Sequence, residues 1–184
     1  MKMLLASVFT TALLALTPPA SAMLISFNAS LSGSQQVPPN TSPGTGSATL
    51  VADTVNKTLT VSEIFAGLLS PSVAGHLHVG SPGNNGSIIL EFNGFPMGTS
   101  GTFNGTFTEA NLVNQATTGI STFSGLLGVL ENNNAYVNIH SVLLTKGEIR
   151  GAVLAVPSRV PEPMTLALLA VGLAVVAVAR RRLS

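Results

Sequence analysis

The chain has no cysteine and no tryptophan, and only 8% of its residues are charged. Without cysteine there can be no disulfide, thiolate nucleophile, cysteine-ligated zinc or iron–sulfur cluster, so the core alone must hold the fold together. Charge is scarce where a partner would need it. Between residues 23 and 159, Lys57, Lys146, Arg150 and Arg159 stand against Asp53, Glu63, Glu91, Glu109, Glu131 and Glu148. No basic patch exists to hold a polyanion, which excludes nucleic acid as a partner. Aromatics make up 5% of the chain. Gly, Ser, Thr and Asn abound instead, a mix that fits many short strands joined by tight turns.

What the chain does have is marked first at its two ends. Lys2 precedes an apolar run from Met3 to Leu16, and Ala20-Ser21-Ala22 supplies small residues at a cleavage site. This is the pattern of a secretory leader over residues 1–22, cut after Ala22 with Ala20 and Ala22 at the small positions by signal peptidase. At the other end Pro161-Glu162-Pro163 leads into the charge-free stretch Met164 to Ala179, followed by Arg180-Arg181-Arg182. At ~1.5 Å per residue such a helix covers roughly 24 Å, short of a ~30 Å hydrocarbon core. Arginines flanking it favour the cytoplasmic side of a membrane. The expectation is a marginal transmembrane helix over residues 164–179 that serves as a sorting tag, with a plain single-pass anchor as the alternative. Both end segments raise the apolar content and say nothing of the body between them.

Pro161-Glu162-Pro163, the apolar helix and the terminal arginines together resemble the PEP-CTERM sorting signal of bacterial exported proteins, here over residues 159–184. The resemblance implies recognition by a membrane-embedded exosortase, cleavage near the Pro-Glu-Pro motif, transient membrane attachment, and delivery to the cell envelope or extracellular matrix.

The body reads as strands. Ile25, Phe27, Ala29 and Leu31 alternate with Ser26, Asn28, Ser30 and Ser32, the two-residue period of a half-buried strand. Gly33 to Gly44, with three prolines, reads as a loop. Further strands are expected from Ala48 to Ala52, Leu59 to Phe65, Val73 to Val79, Ile88 to Phe92, Phe103 to Phe107, Ala135 to His140 and Glu148 to Leu154. Glu63 falls on the apolar side of its alternation, which predicts a bulge or an early strand end. Helical turns are expected after Thr108 as N-cap and from Leu126 to Leu130, stopped by Asn132-Asn133-Asn134. Strands at this spacing predict an all-β fold, an antiparallel sandwich or barrel.

Three segments resemble the CHRD domain, a family named from chordin: Leu31-Ser32-Gly33-Ser34-Gln35-Gln36-Val37-Pro38-Pro39; Ala74-Gly75-His76-Leu77-His78-Val79-Gly80 with Pro82-Gly83-Asn84-Asn85-Gly86; and Tyr136-Val137-Asn138-Ile139-His140 with Gly147-Glu148-Ile149-Arg150-Gly151. The domain is placed at residues 23–158. The resemblance implies an antiparallel β-sandwich, immunoglobulin-like or superoxide-dismutase-like, and does not imply an established enzymatic activity. Gln36 departs from the family pattern, which often has glutamate there, so a carboxylate role at that position is not carried over.

All three histidines lie in these segments. His76 and His78 are two apart on one strand and leave the same face. His140 lies on another, sharing its face with Asn138 and Tyr136. Such an arrangement brings three imidazole ligands together for one copper or zinc ion. The His-x-His followed by a Gly/Asn-rich loop is similar to the copper-ligand strand of Cu/Zn superoxide dismutases. With three histidines and no cysteine, however, their dinuclear site is excluded. In the other reading the imidazoles hydrogen-bond to backbone or to Glu148 and organise loops. Glu148 and Arg150 are expected to pair with each other, with support of an imidazole by Glu148 as the alternative. A lone general acid–base histidine lacks a nucleophile or oxyanion site beside it. The sequons at Asn28, Asn40, Asn56, Asn85 and Asn104 read as products of an Asn/Ser/Thr-rich composition. The whole predicts an exported, non-enzymatic envelope or matrix protein, bound to exopolysaccharide or matrix proteins, with a mononuclear copper or zinc site as the alternative.

Overall fold

The computed structural model describes residues 23–157. The expected leader, the Pro-Glu-Pro motif, the expected span 164–179 and the terminal arginines lie outside these residues. Among the described residues no helix is long and apolar enough to cross a membrane.

Nine strands form: β1 (Leu24–Ser32), β2 (Thr45–Asp53), β3 (Thr58–Ala66), β4 (Ser72–Val79), β5 (Ile88–Glu91), β6 (Gly101–Phe107), β7 (Ala135–Ser141), β8 (Ile149–Ala152) and β9 (Leu154–Ala155). Two helices, α1 (Gln115–Thr118) and α2 (Phe123–Glu131), lie between β6 and β7. All strand pairs are antiparallel, in the order β5-β4-β7-β8-β1-β2-β3-β6, with β9 also on β1.

The expected two facing sheets are replaced by one sheet that curls into a half-barrel. The join is the pair β8–β1, where Ser32 meets Arg150. Gly151 makes the join possible. A Cβ there would lie 2.5 Å from the Ser30 carbonyl oxygen, so any side chain would push the two strands apart.

The two-residue period sends Phe27, Ala29 and Leu31, then Ala48, Leu50 and Ala52, then Leu59, Val61 and Phe65 to the inner face. Leu77, Val137 and Ile139 do the same from β4 and β7. The two edge strands are linked by rings instead of a ladder. Phe92, just after β5, stacks on Phe103 of β6 at 5.0 Å, and Phe95 stacks on Phe65 at 5.4 Å. Helix α2 starts at Thr122, whose hydroxyl accepts from the Gly125 amide. Its Phe123, Leu126 and Leu130, spaced by three and four, are buried against the core.

Glu63 departs from expectation. The β2–β3 register runs unbroken from Thr45↔Ala66 to Asp53↔Thr58, so there is no bulge and no early end. Its carboxyl therefore points inward, opposite Ala48 and Phe103. Glu63 is 4% exposed, and neither carboxyl oxygen has a hydrogen-bond partner. Burial pushes its pKa up to about 8, so at neutral pH it sits in the core mostly as the uncharged acid.

Candidate functional site

The outer face of β4 and β7 carries the site. Cross-strand pairs place His76 opposite Asn138, His78 opposite Tyr136 and Ala74 opposite His140. Antiparallel partners share a face, so all three imidazoles emerge on one side, away from Leu77, Val137 and Ile139. One ligand atom from each of His76, His78 and His140 lies within 4.8 Å of the others. The His76 and His140 rings meet edge to face at 4.8 Å.

Backbone carbonyls fix two of the tautomers. His78 Nδ1 is 3.0 Å from the Gly86 oxygen, and His140 Nδ1 is 2.9 Å from the Thr145 oxygen. A carbonyl only accepts, so the proton sits on Nδ1 in both rings and the lone pair on Nε2. His78 Nε2 and His76 Nδ1 are buried without a partner. A buried polar atom left unpaired costs about 1–3 kcal/mol.

Burial pushes His76 and His78 down to about 4, reinforced by the neighbouring His140 and, for His76, by His78. His140 is lowered too, by burial. The cluster is therefore three neutral imidazoles at physiological pH, the form that ligates a metal. Tetrahedral zinc with bonds near ~2.0–2.1 Å wants nitrogens roughly 3.3 Å apart. The widest pair has to close by about 1.5 Å, within reach of small side-chain rotations.

Two loops cover this face. From the loop after β1, Gln36 Nε2 donates to Asn138 Oδ1 at 2.6 Å, and Asn138 Nδ2 lies 3.3 Å from His140 Nε2. From the loop after β4, Gly86 exchanges hydrogen bonds with the Tyr136 hydroxyl. Tyr136 lies parallel to His78 at 4.7 Å, and the Arg150 guanidinium sits 3.4 Å above the Tyr136 ring. Between the loops opens a cleft of about 380 Å³, with His78, Asn138 and His140 in its lining and Pro38, Pro39 and Lys146 among its walls.

The expected Glu148–Arg150 ion pair is absent. Arg150 donates to Asn85 Oδ1 and the Asn84 carbonyl. Glu148 is fully buried, and its Oε1 accepts from the Ser42 hydroxyl and the Leu69 amide, each at 2.6 Å. Successive loops capture the two groups before they can meet. Glu148 supports no imidazole: its partners pin the loops.

The sequence placed Asn138 and Tyr136 beside His140 by the two-residue period but gave them no task. The contact between Gln36 and Asn138 spans 102 positions and left no local signal.

Fold and site together define a small antiparallel β domain with a histidine cluster under a loop-walled cleft. The CHRD domain model matches residues 27–153, and the chain belongs to the CHRD domain family. A comparison with curated proteins finds no match.

Proposed function

We propose that this CHRD domain is exported and binds one transition-metal ion, copper first and zinc second, through His76, His78 and His140. The observation that carries the reading is the convergence of three neutral imidazoles within 4.8 Å, two of them with buried, unpartnered nitrogens. A metal ion would satisfy both. Copper leads because imidazole sites favour it over zinc at equal geometry. Elemental analysis of the purified full chain tests this, with one copper or zinc per chain expected. The double variant His76→Ala/His78→Ala should lose the ion, and wild-type affinity in that variant would sink the proposal.

The role is one of binding, not catalysis, at the envelope or in an extracellular matrix. Its support is the leader pattern, the Pro-Glu-Pro tail and one feature of the fold. Three successive cross-strand rows on the outer face, Ser26–Val51–Thr60–Thr106, Asn28–Thr49–Ser62–Asn104 and Ser30–Ser47–Ile64–Thr102, carry no charge. A neutral surface of mostly hydroxyls and amides, with Val51 and Ile64 among them, suits an uncharged exopolysaccharide better than a charged partner. Mass spectrometry of the protein from its native host tests the sorting. An N-terminus at Met23 and a C-terminus near Pro161-Glu162-Pro163 are expected from signal peptidase and exosortase, whereas intact ends at Met1 and Ser184 would defeat it.

A further inference from the structure

We propose that a metal ion on His76, His78 and His140 keeps one coordination position open to the cleft and takes there a small oxygen-donor anion of the carboxylate class. The proposal rests on the three-histidine reading above and deepens it.

Three imidazoles leave a four-coordinate ion one position short, and a site with three protein ligands keeps the fourth for an exogenous group. Among the described residues no carboxylate joins the histidine group. The direction of the open position follows from the lining: His78 and His140 both face the cleft, whose volume of about 380 Å³ has room for a small molecule.

The charge of the ligand follows from the walls. Lys146 is the one charged residue in the cleft lining, which contains no carboxylate. The carboxylate of Glu148, the nearest acid in sequence, is held by Ser42 and Leu69, and Glu91, opposite His76 on β5, stands outside that lining. A divalent ion facing a single lysine and several neutral amides favours an anion.

The chemistry of the ligand follows from Asn138. Its Nδ2 now points at the lone pair of His140 Nε2. A metal bound at Nε2 takes that lone pair and leaves the amide hydrogen without an acceptor. The amide can turn over only if Gln36 turns with it, because Gln36 Nε2 holds its Oδ1 at 2.6 Å. Asn138 and Gln36 are both buried, and a donor stranded there costs about 1–3 kcal/mol. An oxygen of a metal-bound carboxylate supplies the missing acceptor, and Lys146 balances its charge.

Formate is the probe. The full chain is loaded with one equivalent of copper(II) and titrated with sodium formate at constant ionic strength, followed by visible absorption and electron paramagnetic resonance. A saturable change at one formate per copper is expected. Lys146→Ala should weaken formate about threefold with copper stoichiometry unchanged, as for an exposed charge contact. Gln36→Glu accepts from Asn138 Nδ2, turns Oδ1 toward the metal, and should weaken formate by roughly tenfold or more. Copper bound one to one with spectra indifferent to formate overturns the proposal and leaves the histidine site standing. Equal formate affinity in wild type and both variants overturns it too. A chain that binds no copper removes the three-histidine reading, and this proposal with it.

Discussion

Strands β1, β2, β3 and β6 place mostly serine, threonine and asparagine on their outer face and leave them in water. Strands β4 and β7 place histidine, asparagine and tyrosine on theirs and cover them. In β7 six of seven residues are buried although three of the seven are polar on the covered side. The same alternation thus has two outcomes, decided by what lies above it. The hydroxyl face has no loop over it. The histidine face is roofed by the loops after β1 and β4, tied down through Gln36, Asn85 and Gly86. A strand buried on both sides while half its residues are polar marks a place where polar groups are kept for their chemistry.

Each half also buries ionisable groups, and their pH responses have opposite signs. The largest effect is expected at Glu63. Its pKa rises from 4.5 to about 8 on folding, so the folded state holds a proton that the unfolded chain releases. Its contribution is full below pH 4.5 and is lost as pH rises toward and through 8. Glu63→Leu removes the loss and should stabilise the chain by roughly 3–5 kcal/mol more at pH 9 than at pH 4.5, where it relieves only the unpartnered neutral carboxyl. Chemical denaturation at the two pH values measures it. An equal effect at both would mean the carboxyl has found a partner.

The histidine half runs the other way. His76 and His78 fall from 6.5 to about 4 on folding, so the unfolded chain binds the extra protons. Their contribution is full above pH 6.5 and is lost as pH falls toward and through 4. For the buried His78 the loss is on the order of 2–3 kcal/mol. With metal removed by chelation, stability should peak near pH 6.5. His78→Phe keeps a ring on Tyr136 and should make the acid side shallower, with His76 and His140 keeping the rest of the slope and the alkaline side unchanged. If the variant falls off in acid as steeply as wild type, the cluster is already charged in the fold.

The alternation itself was legible, and with it the strands and the common face of the three histidines. Less could be read where contacts join distant segments. Nothing local announces that Gly151 will sit against Ser30 and fuse two sheets into one, or that Glu148 will be claimed by Ser42. Glu63 was visible as an anomaly, but its resolution was not. A bulge would have saved its desolvation, yet the unbroken pairing of β2 with β3 and β6 holds it inside. Position Gln36 was noticed only as a departure from the family pattern, because its meaning depends on the path of a proline-rich loop.

Gly147 tests whether that loop and the site act together. It has a φ of +126°, and a Cβ there would lie 2.6 Å from both amide atoms of Asn138 and 2.7 Å from Gln36 Nε2. Gly147→Ala should cost about 2 kcal/mol through strain and displacement. It should also weaken copper by about tenfold, because it moves groups that orient a ligand. Thermal unfolding and copper titration of the same variant read both. A stability loss with copper affinity untouched would separate the Gln36–Asn138 pair from the metal site.

The smallest effect belongs on the hydroxyl face, and its smallness is what the comparison requires. Thr60 and Thr106 are both exposed and share a hydrogen bond at 3.2 Å. Water replaces that bond at little cost when one partner is removed. Valine also keeps the branched shape that suits a strand. Thr60→Val should therefore change stability by no more than about 0.5 kcal/mol and leave copper binding as it is. Loss of affinity for uncharged exopolysaccharide in this variant, with folding intact, would show that the open face is used in binding. A loss of stability well above that bound would mean that the face is covered in the native protein, and the contrast between an open and a roofed half would fail.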